Sequence, residues 1–277
     1  MPRPRSSEWL IIAFFAYTAI VGAFFHLGIK PWLLLAAVGA AIFLLSRRKS
    51  SLRDFAPAAF TLAAYREMNW FSPAAYDHHL ENAWIVWDRT VLTSWHLRGA
   101  IESAGSLFPA YFELCYLCVY AVVFVAVGLL FGLRRRDRID RFWVAYLAGT
   151  LGAYALFPYF PSQPPRTAFA GLDLPGVSTT LRQLNLWVLG GYGIHSSVFP
   201  SAHVSSAFSA SWGLMATLPE RPAVGRWMAF YAVSVAIATV YGRYHYAADA
   251  AAGFAISFLA VAALRMYPAA KGPAPPC

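Results

Sequence analysis

The sequence predicts an all-helical polytopic membrane protein, and three observations carry that expectation. Hydrophobic residues make up 59% of the chain and charged ones only 13%, against the roughly 25% usual in soluble domains. Apolar runs recur from end to end, several of them near the ~20 residues that a spanning helix needs. The arginines fall in short clusters between those runs, where the positive-inside rule would place them. Lipid offers no hydrogen-bond partners to the backbone, and helices satisfy it within each segment. We expect one domain of about eight hydrophobic segments around a six-helix core.

Apolar length and breakers place the segments at 9–27, 32–45, 55–69, 108–133, 142–160, 200–218, 227–241 and 246–266. The third is the weakest, being short and carrying Arg66 and Glu67, which we expect to form a buried structural couple. Between the third and fourth, Leu80, Trp84, Trp87, Val91 and Trp95 recur at helical spacing, while Asp77, Glu81, Asp88 and Arg89 fall elsewhere. That pattern predicts an interfacial amphipathic helix over 76–105, its tryptophans at headgroup depth. The N-terminal spans then occupy 1–70, further helices 107–267, and the tail KGPAPPC at 271–277 is expected to be disordered.

The net charge of +9 is accounted for by topology, so no nucleic-acid partner is expected. Cys115 and Cys118 form a C-x-x-C inside the apolar run ELCYLCVYAVVFVAVGLLF. Without a second pair there is no zinc site, and helix packing explains them. With eight crossings the basic clusters at 2–5, 47–53, 134–141 and 220–226 share one side, expected to be cytoplasmic. The loop 161–199 and the junction 242–246 then face outward.

Three outward stretches hold the polar residues that topology leaves over. PYFPSQPPRTAF contributes Arg166, HSSVFPSAHVSSAFSA contributes His195, Ser201 and His203, and VYGRYHYAADAAAG contributes Arg243, His245 and Asp249. His245 and Asp249 are four apart and share a helix face, so the carboxylate can fix one imidazole nitrogen and leave the other free to attack. Pro200 suits a first helical turn, which puts Ser201 and His203 where free backbone N–H groups favour an anion. Arg166 and Arg243 offer planar forks that match phosphate oxygens. Two histidines, a carboxylate and two arginines suggest phosphoryl transfer, one histidine as nucleophile and the other as acid. Taken singly, histidines and arginines at helix ends also serve as interfacial anchors. Asp249 is different, because a carboxylate inside an apolar span marks function by default. Ser205, Ser206 and Ser209 read as small residues that let helices approach, and His195 is a further candidate in the loop.

At FPSAH and RYHYAAD the chain resembles the type 2 phosphatidic acid phosphatase superfamily of membrane lipid phosphatases and phosphotransferases. The likeness covers about 157–254. Upstream, WDRTVLTSWHLRGAIESAG followed by FELCYLCVY is similar to the branch of inositol phosphorylceramide synthases and their bacterial relatives. The resemblance implies that His245 forms a phosphohistidine, Asp249 orients it and His203 protonates the departing alcohol, with Arg166, Ser201 and Arg243 on the phosphate oxygens and no metal or cofactor. Two motif positions differ. Tyr159 and Thr167 stand where the family's first motif has lysine and proline, and Ala238 and Thr239 stand where its third has Ser-Arg, leaving Arg243 as a substitute guanidinium.

The expected activity is therefore that of a metal-independent membrane lipid phosphatase or headgroup phosphotransferase. Its partners would be a membrane lipid and, for transfer, an alcohol such as inositol, a sugar or a lipid. The expected location is the bacterial inner membrane with the site facing outward. The segment 167–197, with its apolar LNLWVLGGYGI, would be the lid or acceptor site. The alternative is a lipid or anion transporter or flippase using the buried aspartate and histidines.

Overall fold

The computed structural model describes residues 4–47 and 50–267; the expected disordered tail lies outside them. Every apolar segment becomes helical. Helices α1 (Ser6–Phe24), α2 (Lys30–Ser46) and α3 (Ser51–Met68) precede a short pair, α4 (His79–Arg89) and α5 (Leu97–Glu102). Next, α6 (Leu107–Cys118) and α7 (Val122–Gly132) run on through a single tight turn, followed by α8 (Ile139–Tyr154). The long outer segment holds α9 (Pro165–Ala168) and α10 (Thr180–Tyr192), and α11 (Ala202–Thr217), α12 (Pro222–Tyr241) and α13 (Ala247–Met266) complete the bundle.

Among the described residues four units are long and apolar enough to cross a membrane: α1, the continuous Leu107–Gly132, α12 and α13. These helices mark the chain as an integral membrane protein. At 16 residues each, α8 and α11 span only about 24 Å, and they lie at the centre, packed against each other and against α13. Their shared face is built from small residues. A Cβ on Gly149 would run into the Ser209 and Ser205 side chains, and one on Gly213 would press on Phe142 and Ala145. Ser205 also donates to the Gly149 carbonyl at 2.9 Å, so the serines give close approach as expected and one of them adds a hydrogen bond. Cys115 is buried and Cys118 exposed, both free.

The described basic clusters gather at one end of the bundle. Asp54 pairs with Arg5 at 2.8 Å and Arg136 at 2.6 Å, Glu8 with Arg53 at 2.7 Å, and Glu220 with Arg138 at 2.9 Å. These contacts tie together the N-terminal ends of α1, α3 and α8 and the approach to α12.

Two expectations are corrected. The amphipathic helix over 76–105 is broken: a π-helical turn at Thr90–Ser94 and a left-handed His96 separate α4 from α5. Its faces are also reversed relative to a simple surface helix. Glu81, Ile85, Asp88 and Leu92 are buried against the protein, while Trp87 and Trp95 point outward, because the acids find polar partners inside. Nor do Arg66 and Glu67 pair. Adjacent residues on a helix diverge by about 100°, so Arg66 is exposed and donates to the Tyr192 carbonyl at 3.0 Å, while Glu67 is buried on another face.

Replacing Gly149 by valine forces α8 and α11 apart at a cost of about 1–3 kcal/mol. Thermal unfolding in detergent should show a melting temperature several degrees lower, whereas Gly39→Val on α2, with open space around it, leaves it within a degree or two.

Candidate active site

The turn at 242–246 and the start of α11 meet at the end of the bundle opposite the basic clusters. Ser201 caps α11, its hydroxyl accepting from Val204 N at 3.4 Å, and its own N–H donates to the Asp249 carbonyl at 3.0 Å. Gly253 permits this approach, since a Cβ there would strike the Ser201 carbonyl. The first turn of α11 is thereby seated on the first turn of α13, and His203 is brought beside His245.

His245 Nδ1 lies 2.9 Å from the Val198 carbonyl oxygen and 3.3 Å from Asp249 Oδ2. Both neighbours only accept, so Nδ1 carries the proton and Nε2 keeps its lone pair. Nε2 faces His203 Nδ1 at 3.3 Å. Asp249, fully buried, also accepts from Tyr246 N at 2.9 Å, which holds the carboxylate in place at the helix start. Burial, and after it the positive charge of Arg166, push the His245 pKa down to about 3, so the ring is neutral at neutral pH. His203 is held on both sides: its ring stacks on Tyr116 at 5.0 Å between centroids, and its Nε2 lies 3.3 Å from the Tyr120 hydroxyl.

Arg166 sits on α9, its backbone N–H donating to the Arg243 carbonyl at 3.3 Å. Its guanidinium lies 5.5 Å from the Tyr244 ring centroid and within electrostatic reach of both histidines. Arg243 is placed differently. It is fully buried in a left-handed conformation at φ 62°, paired with Asp88 of α4, and its Nε and Nη2 have no partner among the described residues. Asp88 Oδ1 accepts from Ala247 N at 2.7 Å, so one carboxylate holds both the arginine and the first turn of α13.

The structure thus brings His203, His245 and Asp249 into contact, with Arg166 in electrostatic reach of both rings, while the Arg243 side chain pairs with Asp88; Arg243 lies in the same turn. It leaves out His195, whose side chain is exposed while its backbone N–H donates to Asn69 Oδ1 at 2.9 Å, and it uses the Ser201 hydroxyl as a helix cap. Among the described residues no group of three or more His, Cys, Asp or Glu is placed to hold a metal ion.

A PAP2 superfamily model matches residues 83–263, well over half of the chain, and takes in all five of these residues. The chain belongs to the PAP2 superfamily. No curated protein and no solved structure is significantly similar to it. Membership supports phosphatase or phosphotransferase activity toward phosphate-containing lipids.

The PAP2 site has supports that sequence reading missed. The sequence pattern puts Asp88 on a surface helix, although its place on the face opposite the tryptophans is a signal of burial. Glu113, buried in the apolar run of α6, accepts from Arg182 at 3.0 Å, Asn185 at 2.7 Å and the Tyr244 hydroxyl at 2.6 Å. An acid within an apolar span was a signal here just as at Asp249. This network pins α10, the helix of the expected lid, to α6 and to the turn that carries His245. Tyr244 in turn stacks on Tyr116 at 4.0 Å, which backs His203. A cavity of about 340 Å³ lined by residues of α3, α7, α8, α10 and α11 includes His203 in its wall.

Asp88→Ala strands a buried guanidinium and should cost about 3–5 kcal/mol, whereas replacing the pair together, Asp88→Leu with Arg243→Met, should recover most of that stability. Melting temperatures of the two proteins in detergent compare them directly.

Proposed function

We propose that this protein is a metal-independent lipid phosphatase or headgroup phosphotransferase that works through a phosphohistidine on His245. The observation that carries the reading is the placement of the His245 ring: Nδ1 faces the Val198 carbonyl and Asp249, which assigns the proton to Nδ1, and Nε2 faces His203. The substrate's phosphoryl group enters between the two rings. As Nε2 bonds to phosphorus the ester P–O bond breaks, and His203, which takes up a proton as the phosphate anion binds beside it, gives its Nδ1 proton to the departing oxygen and is left neutral. In the second half a water or alcohol oxygen attacks phosphorus, its proton passes to His203, and the N–P bond breaks. Arg166, whose guanidinium makes no hydrogen bond among the described residues, stabilises the charge on the transferring oxygens. The same task is assigned to Arg243 Nε and Nη2, which have no partner among the described residues, while Asp88 balances the charge.

Water as acceptor makes a phosphatase. Inositol, a sugar or a sphingoid lipid makes a transferase of the inositol phosphorylceramide synthase kind, and the release of free phosphate against phosphorylated alcohol measures which. The basic clusters at the far end of the bundle support a site on the extracytoplasmic face of a bacterial inner membrane.

Incubation with a ³²P-labelled lipid phosphate and rapid quenching should trap acid-labile, base-stable label on the wild type, and none on His245→Ala. Persistence of the label in that variant would falsify the assignment. His203→Ala should still label but turn over alkyl phosphates about 10²–10⁴-fold more slowly, with a smaller loss on p-nitrophenyl phosphate, whose leaving group needs no proton. Chelator should leave the rates unchanged. Because His245 stays neutral down to about pH 3, rapid-quench labelling should survive at pH 5; loss of label with a midpoint near pH 6.5, the value of a free histidine, would contradict a buried neutral nucleophile.

A further inference from the structure

In the proposed reaction His203 gives up a proton and later takes one back, whereas His245 keeps one protonation state until it bonds to phosphorus. What stands behind each ring matches that difference. Behind His245 are two fixed acceptors, the Val198 carbonyl and Asp249, which hold the proton on Nδ1. Behind His203 is a phenol: its Nε2 lies 3.3 Å from the Tyr120 hydroxyl. Among the described residues no carboxylate is within hydrogen-bond distance of that ring.

One short stretch, CYLCVY at 115–120, builds this contact. Tyr116 and Tyr120 are four apart and share a helix face. The tight turn Val119–Ala121, where α6 passes into α7, carries Tyr120 to the edge of the His203 ring. The two rings are nearly perpendicular, at 83° with centroids 5.6 Å apart, while Tyr116 stacks on the face of the imidazole at 24°. One tyrosine sets the plane of the ring and the other addresses its far nitrogen. A phenol hydroxyl within an apolar span needs a polar partner, and the ring nitrogen supplies it.

A hydroxyl both donates and accepts, and the reaction uses both roles. In the resting pair His203 Nδ1 donates to the lone pair of His245 Nε2 across 3.3 Å, so His203 Nε2 carries no proton and accepts from Tyr120. Once His203 is an imidazolium, and again after its Nδ1 proton has gone to the leaving oxygen, Nε2 carries the proton and Tyr120 accepts from it. The Nδ1 lone pair is then turned to phosphorus, where it takes the proton of the incoming water or alcohol. A carboxylate in the place of Tyr120 would bind the imidazolium and hold its proton. A neutral hydroxyl orients the ring and leaves the acid free to act.

We propose that Tyr120 is a positioning residue for His203: in the covalent intermediate its hydroxyl keeps the proton on Nε2 and so presents Nδ1 as the base for the second half of the reaction. The inference rests on the phosphohistidine reading for the reaction itself.

Tyr120→Phe removes the hydroxyl and keeps the ring. With the full-length protein in detergent and ³²P-labelled p-nitrophenyl phosphate, rapid quenching follows formation and decay of the label on His245 separately. Decay should slow about tenfold, the worth of one hydrogen bond, while formation, whose leaving group needs no proton, changes by less than about twofold. Tyr111→Phe, which loses a hydroxyl held 2.8 Å from Ser234, should leave both rates at the wild-type values. In a His203→Ala background Tyr120→Phe should have no further effect. Nitrogen NMR of ¹⁵N-histidine protein, with His203 assigned by its loss in His203→Ala, should show the Nε2 resonance displaced by Tyr120→Phe and unmoved by Tyr111→Phe. Equal slowing of formation and decay, a further loss in the His203→Ala background, or an unmoved Nε2 resonance would each overturn the proposal. The two readings fail separately: a wild type that never labels sinks the phosphohistidine, and normal labelling with Tyr120→Phe decaying at the wild-type rate sinks this role alone.

Discussion

A single buried carboxylate, Asp88, holds the turn on which the candidate site is built. Arg243 occupies a left-handed backbone conformation that costs about 1–2 kcal/mol for a residue with a Cβ, and its charge is fully removed from water. Neither is tolerable alone. Asp88 answers the charge and, through its second oxygen, the free N–H of Ala247 at the start of α13. With the turn held this way, His245 projects toward His203 and its Nδ1 meets both the Val198 carbonyl and Asp249.

Around that turn the bundle divides by polarity. One end is tied by arginines to the buried acids Asp54 and Glu8 and to the exposed Glu220, pairs that fix which helix ends lie together. The other end carries the histidines and the Glu113 network, where desolvation makes every donor and acceptor matter. Between them, α8 and α11 touch through glycine and serine. That contact is needed because lipid gives no hydrophobic force between helices, so close packing has to hold them.

The rings in the site are supported in a row. Tyr244 links the Glu113 carboxylate to Tyr116, and Tyr116 supports the His203 ring. A displacement of α10 would pass through Arg182 and Glu113 to the turn itself, which makes α10 a support of that turn.

By itself the sequence determined the membrane class, the eight helical segments and the pairing of His245 with Asp249. Apolar run length and an i,i+4 spacing are local properties, and lipid leaves the backbone little choice but helix. It also marked Arg166 and His203, whose places at helix starts follow from neighbouring prolines. Tertiary structure alone decided that Arg243 is buried on Asp88, 155 residues away, that Ser201 caps a helix, that His195 stays outside, and that Arg66 and Glu67 part company. Each of these depends on which face of a helix meets which neighbour, and an amphipathic pattern is silent on that when lipid, headgroup and a polar protein interior can each satisfy one of its faces. The segment around Asp88 reads as a surface helix for this reason: its tryptophans suit the membrane interface equally well whether its acids face water or, as here, the inside of the protein.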